Sequence, residues 1–430
     1  MHFLLVTIID ILLVYSTVTQ TPSAALVAFV LTVFTVLRGS GIQAFYTLLG
    51  TCFFSGVYNI SGIGVYFLVT ILCCVKLLAN RATNANVLLL GIALTVLCAL
   101  HDLPYHTTGI VIIDVIMLLS LSVIFSNKDW HDYDHRYASG LFLVSLIIVQ
   151  VGAVLLTGDL TQLSDGSIEV VRMGEGDVEG GMNNNLGGAM GFPITTLLFV
   201  TCSLPLLIGK RLNPFRKVVL GAVVIALLVA TFFTTSKVYL LGLLVFLICV
   251  IIEFFAKSGK TKIWLIMILL GAIIVLNELG IYELLLGRYM ARIIGVDIST
   301  NRFEIYESCF SYLGEHPLAL LFGEGRAYSE IGRINGYAFS MTAHNIILDI
   351  IMAYGSIGLI IILHSSKRFI STLSTNLELG KSGLLGYMPL ICWFVMCQTN
   401  TPFSLPKTFV LIPFMLLHSK YYKTLMAEDL

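Results

Sequence analysis

Arginines and one histidine are the side chains of this sequence whose types and spacing suit chemistry best. Residues 280–343 contain five arginines and no lysine: Arg288, Arg292, Arg302, Arg326 and Arg333. Guanidinium groups bind phosphate oxygens through paired hydrogen bonds and stay charged at physiological pH, so this composition favours a pyrophosphate ligand. The alternative is a solvated helical hairpin in which these arginines pair with the neighbouring glutamates and aspartates.

His344 follows this arginine-rich segment directly, at the start of an apolar stretch. A general base of near-neutral pKa would be wanted beside phosphate-binding cations, and the alternative is an interfacial histidine bonded to a backbone carbonyl. If the helix includes His344, Leu348 and Ile351 share its face, while Asn345 and Asp349 share the neighbouring one. Asp349 would lie about 7.5 Å deeper in the span, where an ionisable group is costly unless it lines a cleft. We therefore expect both Asn345 and Asp349 to line the cleft.

Lys237 adds one further cation, at the end of the apolar stretch that contains the letters TFFTTSKVYLLG. A lone lysine at a helix boundary often serves as an anchor whose charged end reaches the membrane surface. On the topology given below, however, it lies on the side where lysine is disfavoured. That position makes Lys237 a candidate cation for an anionic ligand.

Motifs for other chemistries are absent from the sequence or weak in it. His101, Asp102 and His106 have no third ligand at metal spacing, and we interpret them as polar residues of a short outer loop. The sequence contains no G-x-x-x-x-G-K-[ST], H-E-x-x-H or G-x-S-x-G pattern, which argues against an ATP-driven pump or a common hydrolase. We expect no metal and no cofactor.

Composition defines the elements that must position these residues. The chain has 430 residues, of which 57% are hydrophobic and 12% charged, and its mean hydropathy is +0.93; soluble domains carry roughly 25% charged residues. Lysine plus arginine and aspartate plus glutamate number 25 each, which leaves no bulk charge to attract nucleic acid. The pattern predicts an all-α, polytopic transmembrane helical bundle, since a span needs about 20 apolar residues.

We predict about 14 spans, with a range of 12–14. They lie near His2–Val18, Pro22–Leu37, Ile42–Phe54, Gly62–Val75, Asn86–Leu100, Thr108–Phe125, Ser139–Leu156, Leu186–Ile208, Val218–Phe233, Val238–Phe255, Ile263–Leu279, Asn345–Leu363, Leu384–Cys397 and Phe409–Leu417.

The charged residues orient these spans. With both termini cytoplasmic, all but eight of the 25 lysines and arginines lie on the cytoplasmic side, as the positive-inside rule requires. The eight exceptions are Arg172, Lys237, Arg288, Arg292, Arg302, Arg326, Arg333 and Lys407. The chain then divides into spans 1–11 (residues 1–279), a large helical outer loop (280–343), and spans 12–14 with a short tail (344–430). An acidic, glycine-rich loop, residues 157–185, lies on the same outer face.

The order of motifs from about Thr234 to Leu363 resembles the O-antigen ligase and polymerase superfamily of bacterial inner membranes. The elements are S-K at the start of a span, R-x-x-x-Y, H-P, a G-x-G turn and H-N-x-x-L-x-x-x-x-x-x-G-x-x-G-L. The rest of the chain resembles that family in hydropathy and span count. By this resemblance Lys237, Arg302 and His344 are the functional residues. Lysine stands at 237 where the family has arginine, and Tyr306 stands where tryptophan is usual.

The resemblance also implies a function. Similar proteins transfer a glycan from an undecaprenyl-pyrophosphate carrier to an acceptor sugar at the periplasmic face, without a metal. We therefore expect a metal-independent, inverting glycosyltransferase in the bacterial inner membrane, with His344 as base and the arginines and Lys237 on the pyrophosphate. Tyr306, Asn345 and Asp349 line its cleft.

The sequence is compatible with three functions: a repeat-unit polymerase, an O-antigen ligase acting on lipid A-core, and a flippase or transporter for a lipid-linked glycan. The expected partners are the donor, its acceptor, membrane lipids and a chain-length regulator or flippase.

Overall fold

The fold is taken from a computed structural model of the chain. It describes residues 1–19, 21–54, 59–60, 63–79, 83–106, 108–156, 188–209, 212–232, 236–255, 302–339, 343–376, 384–398 and 408–426. The acidic loop 157–185, the span Ile263–Leu279, Arg288 and Arg292 lie outside these residues.

The described residues are almost entirely helical, which confirms the all-α prediction. Their helices are α1 His2–Thr19, α2 Pro22–Arg38, α3 Gly41–Thr51, α4 Val65–Ala79, α5 Ala85–Asp102, α6 Thr108–Ser126, α7 His135–Leu156, α8 Gly188–Ile208, α9 Pro214–Phe232, α10 Lys237–Phe255, α11 Arg302–Glu315, α12 Pro317–Phe322, α13 Tyr328–Asn335, α14 Ile346–Asn376, α15 Leu384–Met396 and α16 Thr408–Met426. A 3-10 turn, Cys52–Phe54, follows α3, and β1 Asn59–Ile60 pairs antiparallel with β2 Ile63–Gly64.

By length and composition, five of the described helices can cross a membrane. These segments are His2–Thr19, Ala85–Asp102, His135–Gly152, Pro214–Thr231 and Ile346–Leu373. Seven further apolar helices are shorter. The chain is therefore a membrane protein, and its exact number of spans stays a prediction.

The larger of two compact units comprises Met1–Val149, Asn301–Gly380 and Cys397–Lys420. In it α5 packs along α6, α14 packs against both, and α1 to α4 form a second group of neighbours. Phe369 of α14 meets Trp130 with ring centroids 5.5 Å apart, and Trp130 in turn meets Phe45 of α3 at 5.3 Å. The helices α11, α12 and α13 belong to this unit.

The second unit comprises Gln150–Thr300, Lys381–Met396 and Tyr421–Leu430. Its described helices α8, α9, α10 and α15 pack mainly through α8 and through the pair α10 and α15. Gln150 donates a side-chain hydrogen bond of 2.8 Å to the Thr196 hydroxyl, which also accepts one of 2.9 Å from Thr231. Buried polar side chains in a span need such partners because no water can satisfy them there.

The helix α14 is longer than the sequence predicted, and it is kinked. It continues to Asn376, whereas the expected span ended at Leu363. Gly355 interrupts it with φ 68° and ψ 179°. The part after the kink, residues 356–376, is about 30 Å long, enough to cross the hydrocarbon core alone.

The G-x-G turn after α12 fills this kink. The backbone N–H of Glu324 donates to the Met352 carbonyl at 2.8 Å, and that of Gly325 donates to the Ala353 carbonyl at 2.9 Å. These are carbonyls that an uninterrupted helix would bond to itself. The two glycine motifs therefore form one joint between α12 and α14.

Replacing Gly355 with alanine should destabilise the protein by about 2–4 kcal/mol, because the new side chain would be strained and would clash. A Cβ built there lies 2.2 Å from the Leu321 carbonyl oxygen, on backbone of φ +68°. Thermal unfolding in detergent measures the change.

Gly314→Ala is the matched control, since nothing lies within 4 Å of a Cβ at that position in α11. It should be neutral or slightly stabilising. Equal effects of the two substitutions would show that the joint does not hold α14 in its kinked form.

Candidate active site

His344 lies just outside α14, in a backbone conformation that residues other than glycine seldom adopt. Its φ is +55°, and no other non-glycine residue in the described part of the chain has a positive φ. Such outliers cost about 1–3 kcal/mol and tend to occur at functional sites. The expectation that His344 shares a helical face with Leu348 and Ile351 is wrong, because α14 begins only at Ile346.

Asn345 explains why the helix begins there. Its side-chain oxygen accepts hydrogen bonds from the backbone N–H groups of Ile347 at 3.0 Å and Leu348 at 3.1 Å. This is the arrangement by which asparagine caps a helix N-terminus. The cap fixes the chain direction one residue after His344.

Asp349 fixes the chain on the other side of His344. Its Oδ1 accepts the backbone N–H of Ala343 at 2.8 Å and also the hydroxyl of Tyr328. The same N–H lies 2.6 Å from the Tyr328 oxygen. Asp349 is 7% exposed, so these bonds form in a dry environment where they are strong. Asp349 thereby positions the residue next to His344.

Tyr306 of α11 binds the main chain at the same point. Its hydroxyl lies 3.4 Å from the His344 carbonyl oxygen and 3.2 Å from the Gln398 carbonyl oxygen, to which it can donate. The backbone N–H of Ile346 donates to the Cys397 carbonyl at 2.9 Å. Segments that are distant in sequence therefore converge on His344.

Arg302 lies one helical turn before Tyr306, and its charge acts on His344. Burial, and then the positive charge of Arg302, lowers the pKa of the His344 imidazole from its ordinary value of 6.5. Burial also lowers the pKa of the Arg302 guanidinium. A neutral imidazole beside a partly desolvated cation can accept a proton while the cation binds an anion.

The polar atoms of this site are incompletely paired. Within the described residues, Nδ1 of His344 and Oδ2 of Asp349 are buried and have no hydrogen-bond partner. No carboxylate in that part of the chain forms an ion pair with Arg302. Buried polar atoms are usually bonded, so the two unpaired atoms suit a polar ligand, and the Arg302 guanidinium suits an anionic group on it.

Two other arginines of the expected pyrophosphate set have carboxylate partners. Arg326 pairs with Asp114 of α6, and Arg333 pairs with Glu330 at 3.4 Å in the same helix. Arg288 and Arg292 lie outside the described residues, and Lys237 begins α10 with a side chain that is likewise not described. Among the three expected cations whose side chains the structure describes, Arg302 is the one whose charge acts on His344.

The interpretation of His101 and Asp102 as loop residues is wrong. Both belong to the last turn of α5, and Asp102 is fully buried. Its Oδ1 accepts the backbone N–H of Ala327 at 2.9 Å, next to the ion pair of Arg326 and Asp114. Asp102 therefore helps to attach the segment before α13 to the spans beneath it.

Residues 221–363 match the family model described as O-antigen ligase. The matched segment includes α10 to α13 and the first part of α14, and thus Arg302, Tyr306, His344 and Asp349. No curated protein and no solved structure matches the chain. Glycan transfer of the O-antigen ligase or polymerase type is the activity that this match supports. Residues 221–363 are therefore similar to the O-antigen ligase family, and this likeness covers the segment that contains His344 and Arg302.

Proposed function

We propose that the protein transfers a glycan from undecaprenyl pyrophosphate to an acceptor sugar at the outer face of the bacterial inner membrane. The observation that carries the proposal is the juxtaposition of Arg302 with the strained, partly buried and neutral His344. Both lie within the segment that matches the O-antigen ligase family. Lys237, Arg288 and Arg292 are proposed to complete the pyrophosphate site, whereas Arg326 and Arg333 are paired with carboxylates.

The reaction is a single displacement at the anomeric carbon of the donor. The acceptor hydroxyl oxygen attacks that carbon, and His344 takes the hydroxyl proton. The bond from the anomeric carbon to the pyrophosphate oxygen breaks, and its electron pair leaves with undecaprenyl pyrophosphate. Arg302 stabilises the growing negative charge, and the configuration at carbon inverts. In this scheme the guanidinium does the work that a metal ion would otherwise do.

The pH dependence of the rate should report on His344. Its pKa lies below 6.5, so kcat/KM should fall only at pH values below that, where the imidazole becomes protonated and can no longer accept a proton. In Arg302→Gln the repelling charge is gone, the pKa rises, and the acid limb should move to higher pH. The test is to measure kcat/KM against pH for the purified unsubstituted protein and for Arg302→Gln in parallel. An acid limb that stays in place would contradict the pairing of the two side chains.

Polymerase is the preferred form of this activity, with ligase as the alternative. Both use the same donor, and they differ in whether the acceptor is another carrier-linked repeat or lipid A-core. The reason for this preference is that Lys237 departs from the family pattern. Polymerases must fit many different repeat sugars, so we expect their sequences to depart from the pattern more than those of ligases. Lipopolysaccharide gels of a strain lacking the protein separate the two. Loss of a polymerase leaves cores with one repeat, whereas loss of a ligase leaves bare cores and carrier-linked polymer.

A lipid-linked glycan transporter is the candidate from a different class. Transporters place ionisable residues near the middle of the bilayer, and Asp10, Asp114, Glu253 and Asp349 are the carboxylates available in spans. Asp114 is engaged by Arg326, and Asp349 by Tyr328 and Ala343. Asp10 accepts a hydrogen bond of 2.6 Å from Ser145. These contacts favour packing and positioning roles, and with them the glycosyltransferase.

A further inference from the structure

The short helix α12, Pro317–Phe322, presents a nearly continuous apolar surface. Leu318 is 72% exposed, Leu320 42%, Leu321 44% and Phe322 40%, while Ala319 alone is buried, at 2%. A soluble loop rarely exposes so contiguous a hydrophobic patch. The sequence placed this segment in a loop outside the membrane, where such a surface would face water.

Contacts of neighbouring residues give the depth of α12 relative to the spans. Gly325 lies against Asp102 at the end of α5, where a Cβ would be 2.3 Å from the carboxylate oxygen. Gly358 lies against Leu94, which is about 12 Å further along α5 at 1.5 Å per residue. Gly355 precedes Gly358 by three residues, and therefore lies about 4.5 Å closer to the end of α5 than Leu94 does. Because Gly355 lies against Leu321 of α12, α12 lies about 7–8 Å below the end of α5.

This depth places α12 within the membrane. The helix α5 has 18 residues and is therefore about 27 Å long, close to the thickness of the hydrocarbon core. If the end of α5 lies at the edge of the hydrocarbon core, a segment some 7–8 Å below that end lies among the outer parts of the acyl chains, the depth to which apolar faces of interfacial helices are buried. The exposure of Leu318 is similar to that of Ile360 in the spanning part of α14, which is 63%.

We propose that α12 is a membrane-dipping helix whose exposed face contacts the acyl chains of the leaflet nearest His344. The Gly323–Gly325 turn and the kink at Gly355 hold it at that depth, as their backbone bonds show. Arg302 and His344, in the same compact unit, are thereby kept next to the membrane surface. The proposal requires membrane residence alone and is independent of the reaction.

Spin labelling in proteoliposomes tests it. Leu318→Cys and Leu321→Cys each carry a nitroxide, Ile360→Cys serves as the lipid-exposed standard, and Asn335→Cys, on the exposed part of α13, serves as the aqueous standard. The native cysteines of the chain are buried except Cys74, which is intermediate. Labelling of the unsubstituted protein therefore measures the background signal from the native cysteines. The measurement compares collisions with oxygen, which concentrates in lipid, and with a polar nickel chelate, which does not.

Oxygen should broaden the spectra of the labels at positions 318 and 321, and the nickel chelate should leave them nearly unchanged. The label at position 360 should behave in the same way, and the label at position 335 in the opposite way. Nickel sensitivity equal to that at 335 would place α12 in water and overturn the proposal. Insensitivity to both reagents at both positions would show that another part of the chain, or a second copy of it, covers the surface, and this too would overturn it. Two positions are used so that one poorly folded variant does not decide the result.

Discussion

His344→Asn is expected to lower the rate of glycan transfer by about 10²- to 10⁴-fold, with binding of the lipid-linked donor retained. Asparagine tolerates the left-handed backbone conformation that His344 adopts at φ +55°, so the substitution removes the base and keeps the local chain path. Alanine at the same position should be at least as inactive, but it also strains the backbone. Turnover of a synthetic donor, followed by mass spectrometry, measures the loss.

The matched control is His131→Asn. His131 is exposed in the turn before α7, and we expect its replacement to leave the rate unchanged. If His344→Asn turned over as fast as this control, His344 would not be the base. A loss of donor binding as large as the loss of rate would instead indicate that His344 acts on the binding of the donor.

Arg302→Ala should reduce kcat/KM by about 10²- to 10³-fold, the size of effect seen when one preorganised group that stabilises developing charge is removed. The reason is its half-buried position beside His344, with no carboxylate partner in the described part of the chain. Arg302→Lys should recover only part of the activity, because lysine supplies the charge without the planar fork. Steady-state rates with the same donor make the comparison.

Arg333→Ala provides the control for charge. Arg333 is exposed and paired with Glu330 on the same helix, so we expect at most a small change from its removal. A loss of activity in Arg333→Ala as large as that in Arg302→Ala would contradict a specific role for Arg302. That result would point to the overall positive potential of the loop and away from a specific contact.

Membrane residence and the positions of most described helices follow from the sequence because both depend on hydrophobic content over long windows. Thus α5, predicted near Asn86–Leu100, runs from Ala85 to Asp102. The ends of the helices are less well predicted. The span in α14 was predicted to end at Leu363, whereas the helix continues to Asn376, because the hydropathy falls before the helix ends. Polar residues at the membrane surface can continue a helix, and a hydropathy pattern does not record them.

The candidate site was predicted in its residue types but not in its construction. The H-N pattern singled out His344, but the left-handed φ and the cap by Asn345 depend on tertiary contacts with Ala343, Tyr328 and Asp349. Tyr328 was missed altogether and Asp102 was assigned to a loop, because a single tyrosine or a carboxylate at a helix end carries no periodic signal. A buried aspartate beside an arginine-rich loop was the signal that could have suggested the pair of Asp114 and Arg326.

The joint between the Gly323–Gly325 turn and Gly355 shows the same limit. In the sequence the first is recognisable as a G-x-G turn, and the second is one glycine of a separate motif. That the two meet depends on hydrogen bonds between Glu324 and Met352, which are 28 residues apart. No local pattern specifies such a pairing.

The most direct test of the central claim is a reconstituted reaction. The purified protein would be mixed with synthetic undecaprenyl-pyrophosphate oligosaccharide and an acceptor, and the products would be analysed by mass. If the protein is the proposed glycosyltransferase, the products are an acceptor enlarged by the donor glycan and released undecaprenyl pyrophosphate. Movement of the donor across sealed vesicles without a new glycosidic bond would contradict that proposal.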